Sequence, residues 1–213
     1  MSEPQPPPPA PPAPRRPRWK DPFVLAFVVG AVVLTALPFL QRRFLKAPAP
    51  VMTLPPWTLT ALPDGGELSS RDFQGKVVLL MLARGPCDAD CREHQAAFGR
   101  GLQHTDDLGD LVQLVSVALP GAEEALAPLA VPGSRWHLAR GPAAGGLVAS
   151  LREGWRRWVG TDAGATDEDF ARLPAVALID QDGALRGFWH DDPAGRGNAL
   201  NGARLLARHG PRP

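Results

Sequence analysis

The sequence predicts an α/β domain, a central mixed sheet with helices on both faces, behind one N-terminal transmembrane helix. Three observations carry this. Residues 23–40, FVLAFVVGAVVLTALPFL, hold no charge. Residues 76–83 and 111–119, KVVLLMLA and LVQLVSVAL, are near-continuous apolar runs of strand length, as expected of strands covered on both faces. Helical patterns follow each of them, which is the order of a sheet layered between helices.

The chain divides into a Pro-rich basic tail over 1–20, an anchor over 21–43, a linker over 44–56 and a domain over 57–213. The Pro/Ala tract at 4–17 cannot build a core and reads as polyproline-like or disordered. The uncharged segment has no polar face, unlike a buried soluble helix. At about 1.5 Å per residue it spans roughly 27 Å, enough for a bilayer core. A cleaved signal peptide would be cut straight after its apolar core. Here Arg42, Arg43 and Lys46 intervene before Ala47-Pro48-Ala49, so the segment reads as an uncleaved anchor. Arg15, Arg16, Arg18 and Lys20 precede it and three basic residues follow. That bias favours a cytoplasmic N-terminus and a periplasmic domain.

The net charge of +1 hides an asymmetry. After Ala47, 16 Lys/Arg face 20 Asp/Glu, leaving the domain near −4. Nucleic-acid binding, which calls for a basic face, is therefore not expected.

Element by element, residues 57–59 start a strand and Asp64-Gly65-Gly66 is a turn. Residues 69–73 form a helical turn, and 76–83 a buried strand. A helix is expected over 88–103, a second buried strand over 111–119, and a short helix over 123–129. A further strand lies at 134–139. Leu147, Val148, Leu151, Trp155 and Trp158 recur at helical spacing, so 144–158 is an amphipathic helix with core tryptophans. AVALID after Pro174, the turn Gln181-Asp182-Gly183 and ALRGFW form a hairpin. The last helix covers 194–208.

The only two cysteines, Cys87 and Cys91, lie in GPCDADCREH directly after the strand at 76–83. A dithiol at a helix start gains from the dipole and unpaired N–H groups, which favour the thiolate. Four residues apart on a helix, the two sulfurs share one face. There they can close a disulfide or hold one soft ion. Two ordinary core cysteines are the alternative. Cys87, at the helix start, is expected to be the more exposed and lower-pKa thiol. A bare dithiol suits an oxidising space. A strand feeding such a pair is the working end of a thioredoxin-like fold.

Residues 57 to about 190 resemble the Sco/SenC/PrrC family of membrane-anchored, thioredoxin-fold copper chaperones for cytochrome c oxidase. The resemblance rests on WTLTALPDGGELSSRDFQGKVVLLMLA, the CDADC motif with its three-residue spacer, LVQLVSVAL and PAVALIDQDGALRGFW. It implies copper held by Cys87 and Cys91, and a partner that is an oxidase subunit or another periplasmic thiol protein. The chain departs from the family in three places. Asp88 and Arg92 follow the cysteines where proline is usual, and Ser116-Val117-Ala118 replaces an Asp-Pro pair. Arg172-Leu173 stands where the family has a third, histidine, ligand. A guanidinium has no lone pair to give a metal. Pro174 occupies the position at which redox-active relatives carry a cis-proline, which pulls toward thiol chemistry.

His94, three residues after Cys91, is the candidate third copper donor; as an ordinary helix residue it would face solvent. Two thiolates favour Cu(I) over Cu(II). His190 is not expected to reach the site. Asp88 and Asp90 pair with the helix dipole. The expected function is assistance to oxidase assembly by copper handling or thiol reduction. A general membrane-tethered thiol–disulfide oxidoreductase, and a non-catalytic scaffold, are the alternatives.

Overall fold

A computed structural model describes residues 22–44, 47–131, 133–141, 144–160, 170 and 175–209. Helix α1, Pro22–Phe44, belongs to one unit, and the chain from Ala47 onward forms the other. In α1, Phe23, Leu25, Phe27 and Leu34 are all more than 60% exposed. Its side chains are described only at Pro22, Phe23 and residues 25–36. Among the described residues no helix is long and apolar enough to cross a membrane. The tail over 1–20 lies outside the described residues.

The second unit is built on an eight-stranded sheet. Its strands are β1 Met52–Thr53, β2 Thr58–Leu62, β3 Glu67–Ser69, β4 Val77–Ala83, β5 Val112–Ala118, β6 Trp136–Arg140, β7 Ala175–Ile179 and β8 Ala184–His190. The spatial order is β1-β8-β7-β4-β5-β6-β2-β3. β4 pairs parallel with β5, Val77 opposite Val112 and Ala83 opposite Ala118. β7 lies antiparallel on the other side of β4, with Met81 opposite Val176. β8 returns antiparallel to β7, so it runs in the direction of β4. Its end, His190, therefore lies at the same end of the sheet as Ala83.

Among the described residues, the α-helices with full bounds after α1 are α2 Ala89–Gly101, α3 Glu123–Leu126, α4 Ala144–Val159 and α5 Pro193–His209. Phe98 of α2, Leu102, and Ala199, Ala203 and Leu206 of α5 cover Val77, Leu79, Met81, Leu114 and Leu178 on one face. Leu147, Leu151 and Trp155 of α4, with Trp57 and Phe73, cover Val78, Leu80, Val115 and Phe188 on the other. Both faces of β4 are thus sealed, which is why its sequence shows no alternation. This is the mixed sheet with helices on both faces that the sequence predicts.

Three details differ from the sequence reading. Part of the stretch read as linker joins the sheet: Met52–Thr53 pairs with Leu185 and Ala184 of β8, and Arg186 Nη1 donates to the Pro48 carbonyl at 3.0 Å. The helix expected over 88–103 ends as α-helix at Gly101 and is followed by 3₁₀ turns over Leu102–Leu111, broken where Thr105 and Gly109 leave the helical backbone. Trp155 is core, but Trp158 is 44% exposed; it tilts against Trp155 and Phe188 at the rim.

Candidate dithiol site

The site begins where β4 leaves the sheet. Ala83 is followed by the turn Arg84-Gly85-Pro86, with a cis Gly85–Pro86 peptide, and then by Cys87. Asp88 is the N-cap of α2, and its Oδ1 accepts from the Cys91 N–H at 2.9 Å. Aspartate is among the preferred caps because it satisfies a donor that the helix leaves open. Cys87 and Cys91 form a disulfide with Cα atoms 5.2 Å apart, and no cysteine is free.

This geometry corrects two expectations. Cys87 precedes the cap, so only Cys91 is helical, and the bridge joins a turn to a first turn rather than two positions on one helix face. The exposure order is also reversed. Cys87 is 8% exposed, within a cluster of Ala83, Ala118, Ala122, Leu126 and Leu138, while Cys91 is only partly buried. The cause is the β5–α3 connection. The Leu119 N–H donates to the Ala83 carbonyl at 2.8 Å. Residues 120–121 press so closely on Gly85 that a Cβ there would lie 2.4 Å from the Pro120 oxygen. Only glycine permits that approach. Furthermore, the helix-terminal N–H that would favour a thiolate is already bonded to an anion, the Asp88 carboxylate.

Beneath α2 lies a buried polar chain. Ser116 Oγ donates to Gln95 Oε1 at 2.7 Å and accepts from Trp136 Nε1 at 2.9 Å. Gln95 and Ser116 are 4% and 0% exposed, and the Ser116 hydroxyl is used both as donor and as acceptor. Gly99 gives room for the Trp136 ring, which a Cβ would meet at 2.5 Å. The chain ties the dithiol helix to β5 and β6. Its signal was present in the sequence: Cys91, Gln95, Phe98 and Leu102 fall at the 4-3-4 spacing of one inward stripe.

His94 does not turn its Nδ1 to the sulfurs. That atom lies 3.4 Å from Asp191 Oδ2, and His94 is half exposed while the Asp191 side chain is 2% exposed. Arg196 Nη1 donates to Asp191 Oδ1 at 2.8 Å. Burial holds the Asp191 carboxyl above the usual carboxylate range, against the pull of the Arg196 hydrogen bond and charge. Asp191 was not singled out in sequence, because its burial and its contact with the distant His94 leave no local signal. Asp192 does cap α5, its Oδ1 accepting from the Gly195 N–H at 2.6 Å. His190 is exposed, although its strand ends on the dithiol side of the sheet.

Reduction would release two soft thiolate donors from this pair. Among the described residues no group of three His, Cys, Asp or Glu side chains could hold a metal ion. Arg172, Leu173 and Pro174 lie outside the described residues. Two thiolates are soft donors of the kind that suits Cu(I).

A strand sealed on both faces, feeding a cysteine pair closed at the next helix start, defines a thioredoxin-type domain. No family model and no curated protein matches the sequence. Solved structures do match. BsSco, a member of the Sco family of cytochrome c oxidase assembly proteins in which a disulfide switch was identified, overlaps with a TM-score of 0.53 at 14% identity, over 76% of this chain and 96% of its own. A SCO1/SenC family lipoprotein from Bacillus anthracis str. Ames overlaps with 0.51 at 18% identity, over 76% and 99%. A candidate protein disulfide isomerase from Bacteroides thetaiotaomicron overlaps with 0.50 at 17% identity, over 75% and 91%. The chain has the fold of the Sco proteins, a fold it also shares with that isomerase candidate.

Proposed function

We propose that this chain is a membrane-tethered, Sco-like thiol–disulfide protein whose Cys87–Cys91 pair exchanges two electrons with the thiols of a partner. The observation that carries the reading is the closure of the only two cysteines into one bridge at the start of α2. In the forward direction the bridge accepts two electrons from a partner dithiol, and Cys87 and Cys91 take up two protons. The exposed apolar side chains of α1, with the uncharged run 23–40, support an anchor that holds the domain on the periplasmic side.

A redox titration of the full chain against glutathione buffers, read by an alkylation mass shift, tests this. A single two-electron transition near 30 mV per decade is expected. It should be lost in Cys87→Ser and in Cys91→Ser. A pair that stays oxidised or reduced across the whole range refutes exchange with thiol partners. Alkaline phosphatase fused after Arg212 should be active; an inactive fusion would refute the orientation.

A second reading is favoured by the three-residue spacer and by the overlap with BsSco: copper handling during oxidase assembly. The reduced sulfurs would carry Cu(I) as cargo. Cys87→Ser should abolish Cu(I) binding; unchanged binding in His94→Ala would leave the two sulfurs as the whole site, and a tenfold loss would make the half-exposed His94, whose Nδ1 pairs with Asp191, a third donor through Nε2. Absence of Cu(I) binding by the reduced chain removes this reading alone.

A further inference from the structure

We propose that Cys91, not Cys87, is the sulfur that partners engage, with Cys87 as the buried resolving partner. This rests on the exchange reading above and assigns different roles to the two sulfurs within it. Three observations point the same way. Cys87 is 8% exposed and enclosed by Ala118, Ala122, Leu126 and Leu138, the last three of which are 2% exposed or less. Its cover is fixed by backbone: the Leu119 N–H to Ala83 carbonyl bond and the contact of residues 120–121 with Gly85. Cys91 touches the same cluster but is only partly buried, and its neighbours on the first turn of α2, Asp88, Ala89, Asp90 and Arg92, are all exposed.

Exchange rates depend on access and on which sulfur is attacked. A partner thiolate attacks Cys91 Sγ; the new partner–Cys91 bond forms as the Cys87–Cys91 bond breaks. The bond's electron pair leaves on Cys87 Sγ, which takes a proton, since its apolar surroundings disfavour a thiolate. The partner's second thiol then loses its proton and attacks the partner's sulfur in the mixed disulfide. Cys91 is released as thiolate and protonated. The partner has lost two electrons and two protons, and the Cys87–Cys91 pair has gained both. In the opposite direction Cys91 is the attacking thiolate. A poorly stabilised Cys87 thiolate slows the first step but does not redirect it, because access selects the sulfur that is met first.

The test uses the full chain and glutathione. Oxidised wild type is mixed with limiting reduced glutathione and acid-quenched, and the mixed disulfide is mapped by mass spectrometry. Glutathione is expected on Cys91. In parallel, reduced Cys87→Ser, which keeps Cys91, should react with glutathione disulfide at least tenfold faster than reduced Cys91→Ser. Glutathione mapped mainly to Cys87, or equal rates for the two variants, overturns the assignment. If wild type exchanges with a defined potential while glutathione sits on Cys87, only the assignment falls. If wild type forms no mixed disulfide and shows no transition, the exchange reading falls with it. The mapping on wild type needs no variant to fold.

Discussion

Two carboxylates with side chains 2% exposed, Asp180 and Asp191, lie at opposite ends of the sheet. Asp180 follows β7 beside the start of β4. Its Oδ1 accepts from the Asp182 and Ala184 N–H groups at 3.0 and 2.8 Å, and its Oδ2 from Arg186 Nε at 2.6 Å. Asp191 follows β8 at the dithiol end and has one strong donor, Arg196, with His94 farther off at 3.4 Å. Burial is the same and saturation is not. A buried charge is tolerated only when its lone pairs are used. One end of the sheet is therefore stapled by a satisfied anion. The other, where chemistry is proposed, keeps an under-bonded acid held above its usual range.

The strongest way to break this comparison is Asp180→Ala. It removes the carboxylate that closes the β7–β8 turn, leaving Arg186 Nε and the Asp182 and Ala184 N–H groups without that acceptor. A loss of about 3–5 kcal/mol is expected, read by denaturant unfolding. A loss below about 1 kcal/mol would show that this end is not stapled by Asp180.

Gly85→Ala attacks the dithiol end through its backbone. The added Cβ meets the Pro120 oxygen and Gly121 backbone, at 2.4 and 2.8 Å, and neither can yield as a side-chain tip would. A loss of about 1–3 kcal/mol is expected, with faster alkylation of Cys87 after reduction as its cover lifts. Unchanged stability and labelling would mean that residues 120–121 do not seal Cys87.

The elements that place the site were legible because their cues are local. The unbroken apolar run of β4 encodes burial on both faces, and Cys87 and Cys91 are the chain's only cysteines. The Asp-Gly turn after AVALI marks the β7–β8 hairpin. What was not legible comes from distant residues. The burial of Cys87 is imposed by residues 118–126, about 30 positions away. A two-residue strand such as Met52–Thr53 carries no periodicity to read. The pairing of His94 with Asp191 spans almost a hundred positions, so spacing on α2 alone offered His94 only as a candidate donor or a solvent-facing residue.

Proton linkage sharpens the contrast further. Burial raises Asp191 above its ordinary value near 3.8. Its contribution to stability is thus fully present below that pH and is lost as pH rises through the folded value. His137, on β6, goes the other way. Burial, then the Lys76 charge, lowers it from its ordinary value near 6.5, and its Nε2 meets Gln113 Oε1 at 2.9 Å. Its contribution is present above that pH and is lost as pH falls toward the folded value. Asp191→Asn should flatten the decline on the acid-to-neutral side by about 1 kcal/mol, leaving the His137 limb in place. Parallel stability curves for wild type and Asp191→Asn between pH 4 and 8 would refute an under-bonded Asp191.

The smallest effect concerns the sulfurs themselves. Asp88 and Asp90 lie between the two cysteines, and the Asp88 carboxylate already holds the Cys91 N–H. An anion beside a thiol opposes thiolate formation, so it destabilises the reduced pair wherever thiolate is populated and keeps the potential low. Asp88→Asn retains a good N-cap and removes only the charge. At an exposed site the charge is worth about 1 kcal/mol, which for a two-electron couple corresponds to an upward shift of about 20 mV. The shift should grow as pH rises and thiolate becomes populated, because only the ionised sulfur feels the charge. A shift of equal size at every pH would trace to altered packing of the cap. A downward shift would mean that Asp88 acts on the pair chiefly by ordering the first turn of α2, and its charge would then have no part in setting the potential.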